Sequence, residues 1–205
     1  MKKEKKRLVI ATFNRDKYRE YLELLSDLNI ELIPLFKTSA KKEEFKEKGE
    51  SFEENASIKA KLASKITSLP SFSDDSGLCV DILNGAPGVY SARYGGEPHN
   101  YKKNNERLLK ELNGVEWNKR KAKFVCVIAF YEPEKDKIYL FRGECHGFIT
   151  FEPKGEGGFG YDPLFYFPEL GKTFAELSLE EKNKVSHRGR ALSKFKKFLK
   201  EYWKV

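Results

Sequence analysis

Four short stretches carry residue types at spacings that chemistry needs. Thr12-Phe13-Asn14-Arg15-Asp16-Lys17 is a polar loop between the carboxyl end of an apolar strand pattern and the amino end of a helical one. Such a junction turns backbone N–H groups and the positive end of a helix dipole toward an anion. Lys17 adds a point charge for phosphate, and Asn14 adds a hydrogen-bonding amide. The G-x-x-x-x-G-K-S/T spacing of a Walker loop is absent. Ser73-Asp74-Asp75-Ser76-Gly77 brings two adjacent acids. One carboxylate can hold Mg²⁺, which takes hard oxygen ligands, while its neighbour accepts a proton from attacking water. In Gly157-Gly158-Phe159-Gly160-Tyr161-Asp162-Pro163 an aromatic stands among glycines, which let the backbone come close enough for a ring to lie on a nucleobase. Asp162 then offers an acceptor for a ring N–H. Lys182 and Ser186-His187-Arg188 lie between two helical patterns and supply donors for a carbonyl oxygen or phosphate. Each stretch alone also has a plain structural reading: a polar turn, an Asx turn, a glycine hairpin with Phe159 in the core, or a helix connection.

Periodicity gives the elements that must position these stretches. Residues 8–12 form a short apolar strand, and Tyr18, Tyr21, Leu22, Leu25 and Leu28 recur on one helical face. Residues 31–36 suit a second strand, and residues 37–50 are charge-dense without periodicity, as in a loop. Ser51-Phe52-Glu53-Glu54 has capping-box spacing ahead of Ala56, Ala60, Leu62, Ala63 and Ile66. Pro70 closes that helix. Residues 71–74 lead into Asp75-Ser76-Gly77, where an Asx-type turn or helix cap is the plain reading, residues 78–83 read as a short strand, and Gly85-Ala86-Pro87-Gly88 forces a turn. Residues 104–112 are helical. Residues 123–131 are apolar on both faces, as a central strand is, with 138–142 and 144–151 as its antiparallel neighbours. A capping box at 178–181 opens a short helix, and Leu192, Phe195, Phe198, Leu199 and Tyr202 mark the last one. The fold class expected is α/β with a mixed sheet, in one domain over residues 1–205.

With 40% hydrophobic and 34% charged residues the composition is globular, which excludes disordered and collagen-like classes. No apolar run reaches the roughly 18–20 residues of a membrane span. The basic start at residues 1–7 is followed by too short an apolar stretch for an export signal, so the expected location is cytoplasmic. A formal charge of +8 favours anionic partners. Much of the excess lies in residues 2–7 and in Lys194, Lys196, Lys197, Lys200 and Lys204, which read as a solvated surface ahead of a specific nucleic-acid patch. Cys79, Cys126 and Cys145 lack ligand spacing and read as buried thiols in a reducing compartment. His99 and His146 have no ligand-like company.

The ordered set is more specific than its parts. It comprises residues 11–17, Ser51-Phe52-Glu53-Glu54-Asn55-Ala56, residues 74–78 with 85–94, residues 158–163, and Ser186-His187-Arg188 with Ala191-Leu192. These stretches resemble the inosine/xanthosine triphosphate pyrophosphatases and span nearly the whole chain. The resemblance implies an elongated mixed sheet with flanking helices, two lobes around a central nucleotide-binding cleft, and a homodimer. It also implies Mg²⁺-dependent hydrolysis of ITP, dITP and XTP between the α- and β-phosphates, with the monophosphate and pyrophosphate as products. Carried over by position, Thr12, Phe13, Asn14, Arg15, Asp16 and Lys17 hold the triphosphate. Asp75 is general base and metal ligand, and Ser76 touches substrate. Phe159, Gly160, Tyr161 and Asp162 stack on and read the base, and Lys182, His187 and Arg188 complete the pocket. Two positions depart from the family. Asp16 stands where glycine is usual, and aspartate tolerates left-handed backbone better than most residues. The metal-binding acid expected three residues before Gly49 falls at Lys46, so either Glu47 or Glu44 serves in its place, with Glu47 preferred as the second metal ligand, or the metal leans on Asp75 alone. Competing expectations are a basic nucleic-acid-binding or nucleotide-sensing protein without turnover, and a pyrophosphatase for other modified nucleotides.

Overall fold

The computed structural model describes residues 5–45, 48–96 and 100–205, the side chain of Asp16 excepted. In chain order the strands are β1 (Lys6–Ile10), β2 (Ile30–Pro34), β3 (Ser71–Val80), β4 (Lys121–Glu132), β5 (Lys137–Ile149), β6 (Phe165–Phe167) and β7 (Lys172–Thr173). The helices are α1 (Arg15–Leu24), α2 (Phe52–Thr67), α3 (Tyr101–Glu111), α4 (Leu179–Val185) and α5 (His187–Trp203). The strands join in one sheet of order β2-β1-β3-β4-β5-β6-β7. β1 pairs parallel with β2, Lys6 opposite Ile30, and with β3, Val9 opposite Ser71. β5 and β6 pair antiparallel, Ile149 opposite Phe165. The sheet is therefore mixed, with α1 and α2 as the crossovers that parallel neighbours require.

The chain forms two compact units. One holds Met1–Asp75, Val127–Phe141 and Ala191–Val205; the other holds Ser76–Cys126 and Arg142–Arg190. In the first, Leu8, Val9 and Ile10 of β1 are buried, and Ala56, Ala60 and Ala63 give α2 a close-packing face. Phe72 meets Tyr21 edge-on at 5.2 Å and Phe195 of α5 at 5.0 Å. In the second, Phe124, Phe165 and Phe174 cluster with Leu78, Leu108, Leu112, Ile149 and Leu164.

Two expected boundaries are corrected. The Asp-Ser-Gly turn is absent: β3 runs unbroken from Ser71 to Val80. A strand accommodates polar residues when each finds a partner, and Asp74 and Asp75 both do. Likewise residues 138–142 and 144–151 are not two strands, because β5 continues through Gly143. Asp16 needs no left-handed backbone, since it is the second residue of α1.

Candidate active site

Within the first unit, functional side chains gather around β3. Successive strand residues point to opposite faces, so the adjacent acids serve different neighbours. Asp74 accepts from Lys17 Nζ at 2.7 Å, and its side chain is only 2% exposed. Asp75 accepts from Asn55 Nδ2 on one oxygen at 3.2 Å and from Lys59 Nζ on the other at 3.1 Å. Both donors come from α2, one helical turn apart, on the face that Ala56 and Ala60 bury. Ser51 starts that helix by accepting from Glu54 N at 3.1 Å. The Glu54 carboxylate accepts from Glu50 N at 2.8 Å, one residue outside the expected reciprocal box.

The loop after β1 is ordered by its own side chains. Thr12 Oγ1 accepts from Asn14 N at 3.2 Å, and Asn14 Oδ1 accepts from Lys17 N at 3.1 Å, capping α1. Lys17 thereby projects from the helix's positive end toward β3. Phe13 packs edge-on against Phe45 at 5.4 Å, and the Arg15 guanidinium lies 5.5 Å from the Phe36 ring. Those two residues are engaged in packing. The expected role of the Asp16 side chain, and that of Glu47, lie outside the described residues.

The second unit carries the other cluster. Asp162 Oδ2 accepts from the backbone N–H of Phe159 at 2.8 Å and from Lys182 Nζ at 2.5 Å. Gly158 has φ of +71°, and a Cβ there would run into the Asp162 carboxylate, so the turn requires glycine. Cations flank the Phe159 ring: Lys182 Nζ is 4.7 Å and the Arg188 guanidinium 5.5 Å from its centroid. Arg188 Nη2 donates to Ser76 Oγ at 3.4 Å. The His187 ring lies flat on Phe124, centroids 4.6 Å apart, and is 5% exposed. Gly160 turns at φ +66° and its carbonyl accepts from Asn105 Nδ2 at 3.0 Å. Tyr161 belongs to the core. Its hydroxyl donates to Ser91 O at 2.8 Å, and burial pushes the phenol's pKa far up. α4 and α5 meet tightly at Gly189, where a Cβ would strike the Asn183 carbonyl.

Of the residues singled out from sequence, Lys17 and Asp75 thus lie in one unit, each held by its own partners, and Ser76, Phe159, Asp162, Lys182, His187 and Arg188 lie in the other. Sequence reasoning missed Asn55 and Lys59. Their signal was an amide and a lysine at i, i+4 spacing among the buried alanines of α2. Among the described residues no group of three or more His, Cys, Asp or Glu is placed to hold a metal. Mg²⁺ does not need one, since one or two carboxylates plus substrate phosphates suffice, and a carboxylate such as Asp75 has the hard oxygens that such a site would use.

Known proteins resemble this chain over nearly its whole length. The Ham1 family model matches residues 8–198. A dITP/XTP pyrophosphatase of Geobacter sulfurreducens is 52% identical over 193 residues, covering 94% of this chain and 96% of that protein. One from Dictyoglomus thermophilum is 45% identical, with 98% of each chain covered. A HAM1 protein structure from Coxiella burnetii superposes with a TM-score of 0.90 at 43% identity, covering 96% of this chain and 99% of that one. The chain belongs to the Ham1 family.

Proposed function

We propose that the protein hydrolyses non-canonical purine nucleoside triphosphates, ITP, dITP and XTP, to the monophosphate and pyrophosphate. The observation that carries this reading is Asp75: a buried carboxylate with a separate donor on each oxygen, on the same strand as the Lys17–Asp74 pair. The names of the relatives, dITP/XTP pyrophosphatase, support the substrate class.

Asp75 would hold Mg²⁺ together with the phosphates, and the ion when bound neutralises charge on them. Lys17 and the positive end of α1 hold the triphosphate chain. Asp75, kept in one orientation by α2, orients the attacking water and takes its proton. At the other end of the substrate, Phe159 offers its ring to the purine. His187 and Arg188 provide donors for a 6-oxo group, and the 6-amino group of ATP would face those donors unpaired. Such a buried mismatch costs about 1–3 kcal/mol per group, and hydrogen-bonding sites reject analogues more strongly than apolar ones. We take the working form to be a cytoplasmic homodimer, as the family resemblance implies. The three free thiols suit a reducing compartment.

Pyrophosphate release from ITP, XTP, GTP, ATP and dTTP with Mg²⁺, measured beside Asp75→Asn, tests this. Fast release from ITP and XTP alone, abolished in the variant, is expected. Release from ATP at a similar rate would refute the purine-recognition role given to His187 and Arg188, and an active Asp75→Asn would refute the mechanism. Sedimentation of the same sample at one chain's mass would remove the dimer.

A further inference from the structure

Asn55 sits in the first turns of α2 and is 1% exposed. Its Oδ1 accepts from the backbone N–H of Gly49 at 2.7 Å, while its Nδ2 donates to Asp75 Oδ2 at 3.2 Å. A backbone N–H only donates, so the amide oxygen must face Gly49 and the NH₂ must face the carboxylate. The orientation of this amide is therefore fixed from outside. The approach is close as well: a Cβ on Gly49 would sit 2.8 Å from Asn55 Oδ1. Lys59, four residues on, takes the other oxygen of Asp75 at 3.1 Å. One helix thus grips both oxygens, and a carboxylate held at two points cannot turn about its last bond without breaking a contact.

We propose that Asn55 is a positioning residue for hydrolysis. It relays the Gly49 backbone N–H to Asp75 and sets the direction in which the carboxylate's remaining lone pairs meet the attacking water. This inference rests on Asp75 being the base, as in the function proposed above. A buried amide of this kind also serves stability, so the test must separate the two. Asn55→Asp keeps the size and the oxygen that meets Gly49, but replaces the donor facing Asp75 with an acceptor. Asn55→Ala removes both contacts without adding charge. A misplacement of about 1 Å at a reacting group costs on the order of 10²-fold in rate, and supporting residues commonly contribute about 10–100-fold.

The experiment is steady-state kinetics on ITP for Asn55→Asp, Asn55→Ala and Asp75→Asn, with a melting curve for each. For both Asn55 variants kcat is expected to fall by about 10–100-fold while KM stays within about threefold. Exchanging the pair, Asn55→Asp with Asp75→Asn, restores an amide facing a carboxylate. That double variant should melt closer to the unsubstituted protein than Asn55→Asp does, and should remain inactive. An inactive Asp75→Asn beside Asn55 variants of unchanged kcat would overturn the proposal and leave the base assignment standing. A raised KM with unchanged kcat would overturn it too, placing Asn55 in substrate binding. A fully active Asp75→Asn would remove the base, and the positioning role with it.

Discussion

At the scale of single residues, three lysines near the candidate site are held in ion pairs. Lys17 is paired with Asp74, Lys59 with Asp75 and Lys182 with Asp162, and the three carboxylates are buried. A buried pair is a weak source of net stability, yet removing one member strands the other without compensation. Lys182 shows this most directly, since its side chain is 8% and that of Asp162 4% exposed. Lys182→Met keeps most of the apolar stem but leaves the Asp162 carboxylate with the Phe159 N–H alone of the two contacts on Oδ2. The expected loss is about 3–5 kcal/mol of unfolding free energy, measured by denaturant titration. KM for ITP should rise because the Phe159 turn loses its anchor. Unchanged stability with a raised KM would mean that the lysine acts on substrate only and contributes nothing to holding the turn.

At the scale of elements, the clearest device is Arg120, which precedes β4 and is 2% exposed. Among the described residues no carboxylate is seen to pair with it; its guanidinium fastens backbone instead. Nε donates to Ile149 O at 2.7 Å, Nη1 to Leu112 O at 2.8 Å and Nη2 to Thr150 O at 2.8 Å. It ties the end of β5 to the turn after α3, and burial lowers its pKa. Lysine cannot reproduce a planar fork, so Arg120→Lys strands carbonyls at about 1–3 kcal/mol each. A midpoint in urea lower by several kcal/mol equivalents is expected; an unchanged midpoint would show that water replaces the fork. Nothing in the sequence marks this arginine, because its partners are carbonyls, which every residue has. The elements that sequence did reveal are those with strong local signals: β1 and β4 from apolar runs, α2 and α4 from their serine caps, and α5 from its aromatic stripe. The broken reading of β3 failed because Asp-Ser-Gly is turn chemistry locally, whereas α2 and Lys17 satisfy its acids from far along the chain. The same long-range pairing hid Asn55 and Lys59. Lys17 stood out as a charged residue in the polar loop after an apolar strand, and Asp75 as one of two adjacent acids.

At the scale of the whole molecule, the lysine-rich surface adds little to stability. Pairs such as Lys184–Glu180, 69% and 81% exposed, are screened by water and contribute little. The response to pH is set instead by the carboxylates that folding buries, and these pull in opposite directions. Glu144 is partly buried, which raises its pKa, but hydrogen bonds from Arg142 and Lys123 outweigh that and leave it below its ordinary value of 4.5. Its contribution is present at neutral pH and lost as the pH falls through the folded-state value. Glu132, at the end of β4, behaves oppositely: burial and the nearby Glu134 charge raise its pKa above 4.5. The folded state then keeps the Glu132 proton to higher pH than the unfolded chain does. Its effect on stability falls as pH rises through the window between those two values, and at pH 7 the ionised form is a burden. Glu132→Gln removes that burden and keeps an oxygen for the Trp203 side-chain hydrogen bond. The variant should melt higher than the unsubstituted protein at pH 7, by about 2–4 °C for each kcal/mol recovered. The gap should close as the pH drops below 4.5, where both states of Glu132 carry the proton. Melting curves of the two proteins from acid to neutral pH decide it. A gap that is constant across the range would assign the effect to packing, and a lower melting point at pH 7 would mean that the ionised Glu132 stabilises the fold.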